Sequence, residues 1–226
     1  RLDEPADNPC RQMAAVGVVF MTIIAVNRLL REKGFYTDRT EPNLMQFLDL
    51  VALGTVCDVV ALRGLNRLFV KSGLNTMAQR KNKGLCVLSD LANIKEKPSA
   101  YHLGFVIGPR LNACGRIGEA SLGMKLLCAA DETEAAEIAG RLDELNTIRR
   151  QMCEEIYKQA IAQIERAEAR ESIAFVYGKD WHAGVVGIIA GRLKERYNVP
   201  SLVMSQDGDE LRGSGRSVAG AGLGAA

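Results

Sequence analysis

The chain has 226 residues, 47 % of them hydrophobic, which is enough for a real core in one large domain or two small ones. Lys and Arg number 29 against 27 Asp and Glu, a net charge of +2, so an anion site must come from local clustering and not from a global field. Aromatic residues at 5 % exclude a broad base-stacking surface, and the six cysteines (Cys10, Cys57, Cys86, Cys114, Cys128 and Cys153) make no C-x-x-C pair, which argues against a zinc site or disulfide frame and for reduced thiols in a cytoplasmic protein.

The opening "RLDEPADNPCRQ" is polar and reads as a loop. Met13 to Lys33 reads as one helix ending at Gly34; its run "MAAVGVVFMTIIAV" has 14 residues, too few to span a bilayer, and is expected to be buried. Pro42 and Asn43 mark a second start, with helical spacing from Leu44 to Val51. "GTVCDVVAL" then reads as a buried strand or loop ending near Leu62. Asn66 to Arg80 is predicted helical, and its basic tail "QRKNKG" is read as a solvated turn. A short helix covers Leu85 to Leu91, a loop-rich stretch runs through "KEKPSAYHLGFVIGPRLNACGRIGEAS", and Leu122 to Cys128 is helical again. From Glu132 to about Arg170 there is no proline. The apolar positions Ile138, Leu142, Leu145, Ile148, Met152, Ile156, Ala160 and Ile164 step by three or four, so two helices, or one short and one long, are expected. "SIAFVYG" and "PSLVMSQ" are strand-like around the helical "GVVGIIAGRLKERYN", a βαβ unit.

Four stretches carry candidate chemistry. Asp58 is a carboxylate within the apolar "GTVCDVV", either salt-bridged, a helix cap, or a metal ligand; Asp49 is a weaker candidate. In "IGPRLNACGR", Arg110, Asn112 and Arg116 lie among glycines and a proline, where guanidinium groups suit a phosphate, or else pair with Glu119 and carbonyls. "WHAGVVGIIAGR" leads into a helix N-terminus, where backbone N–H groups attract anions; His182 either donates to a phosphate there or is structural. "LRGSGRS" combines Ser214, Arg216 and Ser217 with glycines, a phosphate cradle or a flexible turn. With only His102 and His182 as bases and no G-x-S-x-G elbow, a serine triad has little support, and no Walker loop is present.

In order, "FLDLVALGTVCDVVAL" with "NRLFVKSGL", "GFVIGPRLNACGRIGEASLGMKLL", "LDELNTIRRQM", and "WHAGVVGIIAGRLKERYNVPSLVMS" with "GSGRSV" resemble the DHH-family phosphoesterases, and among them the single-strand-specific exonuclease branch, over most of the chain from Met13. The resemblance implies an α/β fold. Part of a parallel-sheet DHH domain (1–131) would be joined by long connecting helices (132–170) to the first part of a smaller α/β DHHA1 domain (171–226), the first module holding an incomplete sheet. It implies metal-dependent 5′→3′ hydrolysis of single-stranded DNA in repair and recombination, with Mn2+ or Mg2+. Asp58 would be a metal ligand and catalytic residue. Ser214, Arg216 and either Arg110 or Arg116 would hold the DNA 5′ end or a nearby phosphate, with Asn112 and His182 in the cleft. Single-stranded DNA, and other repair proteins, would be partners, with no membrane. The D-x-D and Asp-His-His motifs of the family are absent, so one aspartate cannot build a two-metal centre, and the resemblance implies a segment of a longer enzyme, inactive by itself. Two alternatives stand beside it: a phosphodiesterase acting on short oligonucleotides or cyclic dinucleotides, and a non-catalytic nucleic-acid-binding module.

Overall fold

A computed structural model describes residues 8, 10–166 and 172–224. Eight α-helices and three β-strands occur among them, in two compact units: Arg1–Leu111 with Leu122–Arg141, and Asn112–Ser121 with Leu142–Ala226.

Every regular element described in the first unit is helical, so the incomplete sheet expected there is not seen among the described residues. Helix α1 spans Ala15–Glu32 and ends where Gly34 takes φ +71°, the left-handed turn that glycine adopts without a Cβ penalty. Its expected burial is not met: only Gly17, Phe20 and Asn27 are buried, while Val18, Val19, Met21, Ile23, Ile24, Val26 and Leu29 are exposed. Asn43 caps a short 3-10 turn, Leu44–Phe47, by accepting from the Met45 N–H at 3.1 Å, and α2 (Leu48–Cys57) continues from it. The strand expected in "GTVCDVVAL" does not form. Its first half completes α2, because Leu48, Val51, Ala52 and Thr55 recur at helical spacing and are all buried. Helix α3 (Gly64–Met77) packs closely on α2; a Cβ at Gly73 would overlap the Leu48 carbonyl and Ala52. Met13, Phe20, Leu48, Val51 and Phe69 form one core cluster, with the Phe20 and Phe69 rings edge to face at 5.8 Å. Helix α4 (Lys83–Leu91) is capped by Asn82, whose side chain accepts from Leu85 N–H at 2.9 Å.

The stretch read as loop-rich is mostly helix. A π-helical segment, His102–Ile107, runs directly into α5 (Gly108–Ile117), and α6 (Ser121–Leu127) follows. Proline misled the loop reading: Pro109 stands where the π-helical segment passes into α5, inside a continuous helical run. Residues 132–166 form one continuous 35-residue helix, α7 (Glu132–Arg166); the expected end at Arg170 lies outside the described residues.

The second unit holds the sheet. Strands β1 (Ala174–Lys179) and β2 (Ser201–Asp207) are parallel, joined by α8 (Ala183–Tyr197), and β3 (Glu210–Arg216) returns antiparallel to β2, giving the order β1-β2-β3. The βαβ unit is thus as expected. The alternation of burial along β2 turns Ser201, Val203 and Ser205 inward, and α8 supplies Val185, Val186, Ile189 and Leu193 to the same core. From α7 come Cys153, Ile156 and Ala160. Trp181, the chain's one tryptophan, is buried just before α8; its Nε1–H donates to Gln159 Oε1 at 2.7 Å, and its ring lies on Gly178, where any side chain would collide with it. All six cysteines are thiols, Cys114 and Cys153 buried and Cys128 exposed. Among the described residues no helix is long and apolar enough to cross a membrane.

Candidate functional site

The first turns of α8 organise the polar cluster of the second unit. His182 is the N-cap: its Nδ1 accepts from the Gly184 N–H at 3.1 Å, which places the ring proton on Nε2. His182 is exposed and does a structural job with one nitrogen. On one side of this N-terminus, Arg116 donates through Nη1 to the Gly184 carbonyl at 3.2 Å. The approach is so close that a Cβ at Gly184 would overlap the Arg116 carbonyl oxygen. One turn further along α8 lies β3. Ser214 pairs with Val203 and Arg216 with Ser201, and directly opposed residues of antiparallel strands share a face, so both side chains project from the face that α8 covers. Gly187 makes room for them: a Cβ there would stand 3.2 Å from Ser214 Oγ and 3.3 Å from Arg216 Nη2. Arg216 Nη1 donates to Ser214 Oγ at 3.0 Å and to the Gly215 carbonyl at 2.9 Å, which pre-orients the guanidinium. The N-terminus of a 15-residue helix, two exposed arginines and a hydroxyl thus converge. Their chemistry suits an anion: the guanidinium groups neutralise, and the hydroxyl and helix N–H groups donate.

The sequence expected Arg110, Asn112 and Arg116 to aim at one spot in a tight turn. On α5 they cannot, because six helical residues rotate Arg110 about 240° from Arg116. Asn112 and Arg116, four apart, share a face and are exposed. Arg110 is half-buried and donates through Nη1 to the Val106 carbonyl at 2.8 Å, within the first unit. Asp58 is exposed, not buried. It is the C-cap of α2, where its N–H donates to the Gly54 carbonyl at 3.0 Å, so the argument from an isolated buried carboxylate does not apply to it. The next residue, Val59, holds φ +55°, a strained conformation for a β-branched residue. The buried carboxylate of this region is Asp49, whose Oδ1 accepts from the Leu50 N–H at 2.7 Å and whose pKa burial pushes up. Among the described residues no three His, Cys, Asp or Glu side chains are placed to hold a metal ion, so these residues do not by themselves make a metal centre.

Three residues were not singled out in the sequence. Gly184 and Gly187 are spaced three apart in "AGVVG", and only their neighbours in space reveal why they carry no side chain. Arg149 was hidden in "NTIRRQM". The stripe of α7 that is buried runs Leu142, Leu145, Cys153, Ile156 and Ala160, while Ile148 is exposed, so position 149 falls within the apolar stripe and carries a cation. The signal was an arginine in register with Leu145 and Cys153.

The second unit is a three-stranded α/β unit that gathers arginines and a serine on a helix N-terminus, an arrangement whose chemistry suits an anion. The chain's homologues are single-stranded-DNA-specific exonucleases of the RecJ type. The chain is 41 % identical over 221 residues to RecJ of Dickeya dadantii and 39 % identical over 221 residues to RecJ of Escherichia coli, in each case covering 94 % of this chain and 38 % of the relative. RecJ of Bacillus subtilis is 32 % identical over 222 residues, 95 % of this chain and 26 % of the relative. The fold agrees. A crystal structure of exonuclease RecJ bound to manganese matches with a TM-score of 0.72 at 30 % identity, over 85 % of this chain and 47 % of that one. RecJ from Thermus thermophilus in complex with Mn2+ matches at 0.70 and 30 % identity, over 82 % and 27 %. The chain thus spans 38 % of the length of the first two relatives. No protein-family model matches it.

Proposed function

We propose that this chain belongs to a metal-dependent exonuclease that degrades single-stranded DNA in the 5′→3′ direction, and that the α8 cradle holds a phosphate of the strand near its 5′ end. The observation that carries the reading is the convergence of Arg116, Ser214 and Arg216 on the first turns of α8, made possible by Gly184 and Gly187. A phosphate there would accept from two guanidinium groups, a hydroxyl and helix N–H groups, the set that recognises a terminal phosphate dianion better than a diester. The RecJ homologues are single-strand-specific by name, and the solved ones hold manganese or magnesium, which supports DNA as the ligand and Mn2+ or Mg2+ as the cofactor. In this reading residues 1–131 belong to a DHH domain, whose sheet would cover the exposed apolar side of α1; residues 132–170 form the connector, and residues 171–226 belong to a DHHA1 domain. Asp58 would be a metal ligand there, on a strained turn at Val59, and Arg110, Asn112 and His182 would line the path of the strand. Such an enzyme would work in the cytoplasm, alongside other repair proteins.

The test takes the gene product that carries this chain and incubates it with a 5′-phosphorylated single strand and Mn2+. Mononucleotides released from the 5′ end, with release lost in Asp58→Asn, are the expected result. Products from dinucleotides alone would move the reading to a phosphodiesterase of short oligonucleotides, and binding without hydrolysis would leave a nucleic-acid-binding module.

A further inference from the structure

Helix α7 carries two buried side-chain polar atoms without a hydrogen-bond partner, Asn146 Oδ1 and Arg149 Nε. Asn146 is 4 % exposed. Arg149 lies one turn from Leu145 and one turn from Cys153, so it stands inside an apolar stripe. Leu145 marks what that stripe touches: its Cδ1 is 2.9 Å from where a Cβ of Gly118 would be, two residues beyond Arg116. Ile117 packs on the same core as Cys153. Arg149 is therefore set beside the end of α5, next to the arginine that already reaches α8.

Three further cations stand near Arg149. Desolvation by burial pushes its pKa down, and Arg116, Arg150 and Arg192 push the same way, against the Cys153 thiol. Arg192 is occupied by Glu154, at 2.6 Å. A half-buried guanidinium among arginines, with no acidic partner, destabilises a fold unless an anion from outside completes it.

We propose that Arg149 and Asn146 form a second anion subsite on α7, adjoining Arg116, which takes a phosphodiester of the same strand whose end the α8 cradle holds. The inference rests on the cradle reading and extends it by one residue of DNA contact. The guanidinium binds the diester oxygens, and the buried Asn146 amide lies one turn away on the same helix. Arg149 is a binding residue here, not a catalytic one.

The experiment compares two probes on the 226-residue chain: thymidine 5′-monophosphate, which has no diester, and 5′-phosphorylated tetrathymidylate. Arg216→Ala serves as the control for the cradle and weakens both. Arg149→Gln is expected to weaken the tetranucleotide about tenfold, the loss of one charge-assisted hydrogen bond, and to leave the mononucleotide within about twofold. Arg149→Lys retains part of the difference. Arg149→Met, which removes an uncompensated charge from an apolar stripe, is expected to raise the melting temperature while losing the tetranucleotide preference, a combination that a purely structural arginine does not give. Equal loss of both probes with a lowered melting temperature would overturn the subsite and leave the cradle standing. So would a wild-type chain that binds the tetranucleotide no better than the mononucleotide. A wild-type chain that binds neither probe would overturn the cradle, and the subsite with it.

Discussion

Arg216 is held by short contacts to its own strand, to Ser214 Oγ and the Gly215 carbonyl, so little side-chain freedom remains to be lost when an anion arrives. Asp49 is the opposite kind of residue, a carboxylate whose burial is compensated by the Leu50 N–H and little else. Its folded pKa is raised, so the folded chain holds the proton where the unfolded chain has released it. The favourable contribution of the protonated form is complete below the ordinary aspartate range, near 4, and is lost as pH rises through the folded value. Asp49→Asn keeps the acceptor and removes the charge. It should raise the melting temperature at pH 7, and the gain should shrink toward nothing as the pH is lowered past about 4. An unchanged melting temperature at both values would show that Asp49 has a partner in solution. The residues that make the cradle differ in how far they could be read ahead. Ser214 and Arg216 stand in a glycine-rich run whose composition already suggests a phosphate, whereas Arg149 looks like one more arginine on a charged helix until the buried stripe around it is known.

At the scale of elements, α7 follows the expected apolar spacing at Leu142, Leu145, Ile156 and Ala160, which are buried, and departs from it at Ile148, which is exposed. The spacing supports helix throughout 132–166 and most of the buried face. Ile148 and Met152 are as apolar as Leu145 and Cys153, and only packing against β1, α8 and the end of α5 selects the latter pair. The π-helix and α5 are hard to read ahead because Gly108 and Pro109 look like a loop in sequence, whereas here they sit at the passage from π-helix to α-helix within one helical run. The βαβ unit was legible because its signals are redundant: two β-branched runs, a Gly-rich helix start and a spacing that allows only a crossover. Within α7, Gly140 is exposed and a Cβ there would meet open space, so its only local effect is to loosen the helix. Gly140→Ala should stabilise the chain by about 1 kcal/mol, a rise of roughly 2–4 °C in melting temperature. A fall would mean that the helix is required to bend at that point.

For the whole molecule, a net charge of +2 gives no long-range steering toward DNA, so binding should depend on a small number of local contacts. Arg116, Arg149 and Arg216 are three cations on one unit. Each phosphate neutralised on a single strand contributes about −0.7 to the slope of log K against log salt, so a slope near −2 is expected for tetrathymidylate, falling to about −1.4 in Arg149→Gln. A slope near zero would rule out phosphate contacts as the source of affinity, whatever the affinity is.

Trp181 is the only indole in the chain. It precedes the N-cap His182 directly, hydrogen-bonds to Gln159 on α7, and has its carbonyl fixed by Ser205 Oγ. The protein therefore carries its own optical reporter, confined to the second unit and anchored both to α7 and to the residue that opens α8. Excited at the red edge of the spectrum, its emission follows the unfolding of that unit alone. Occupation of the cradle should also register as a change in its intensity, so titrations need no attached dye.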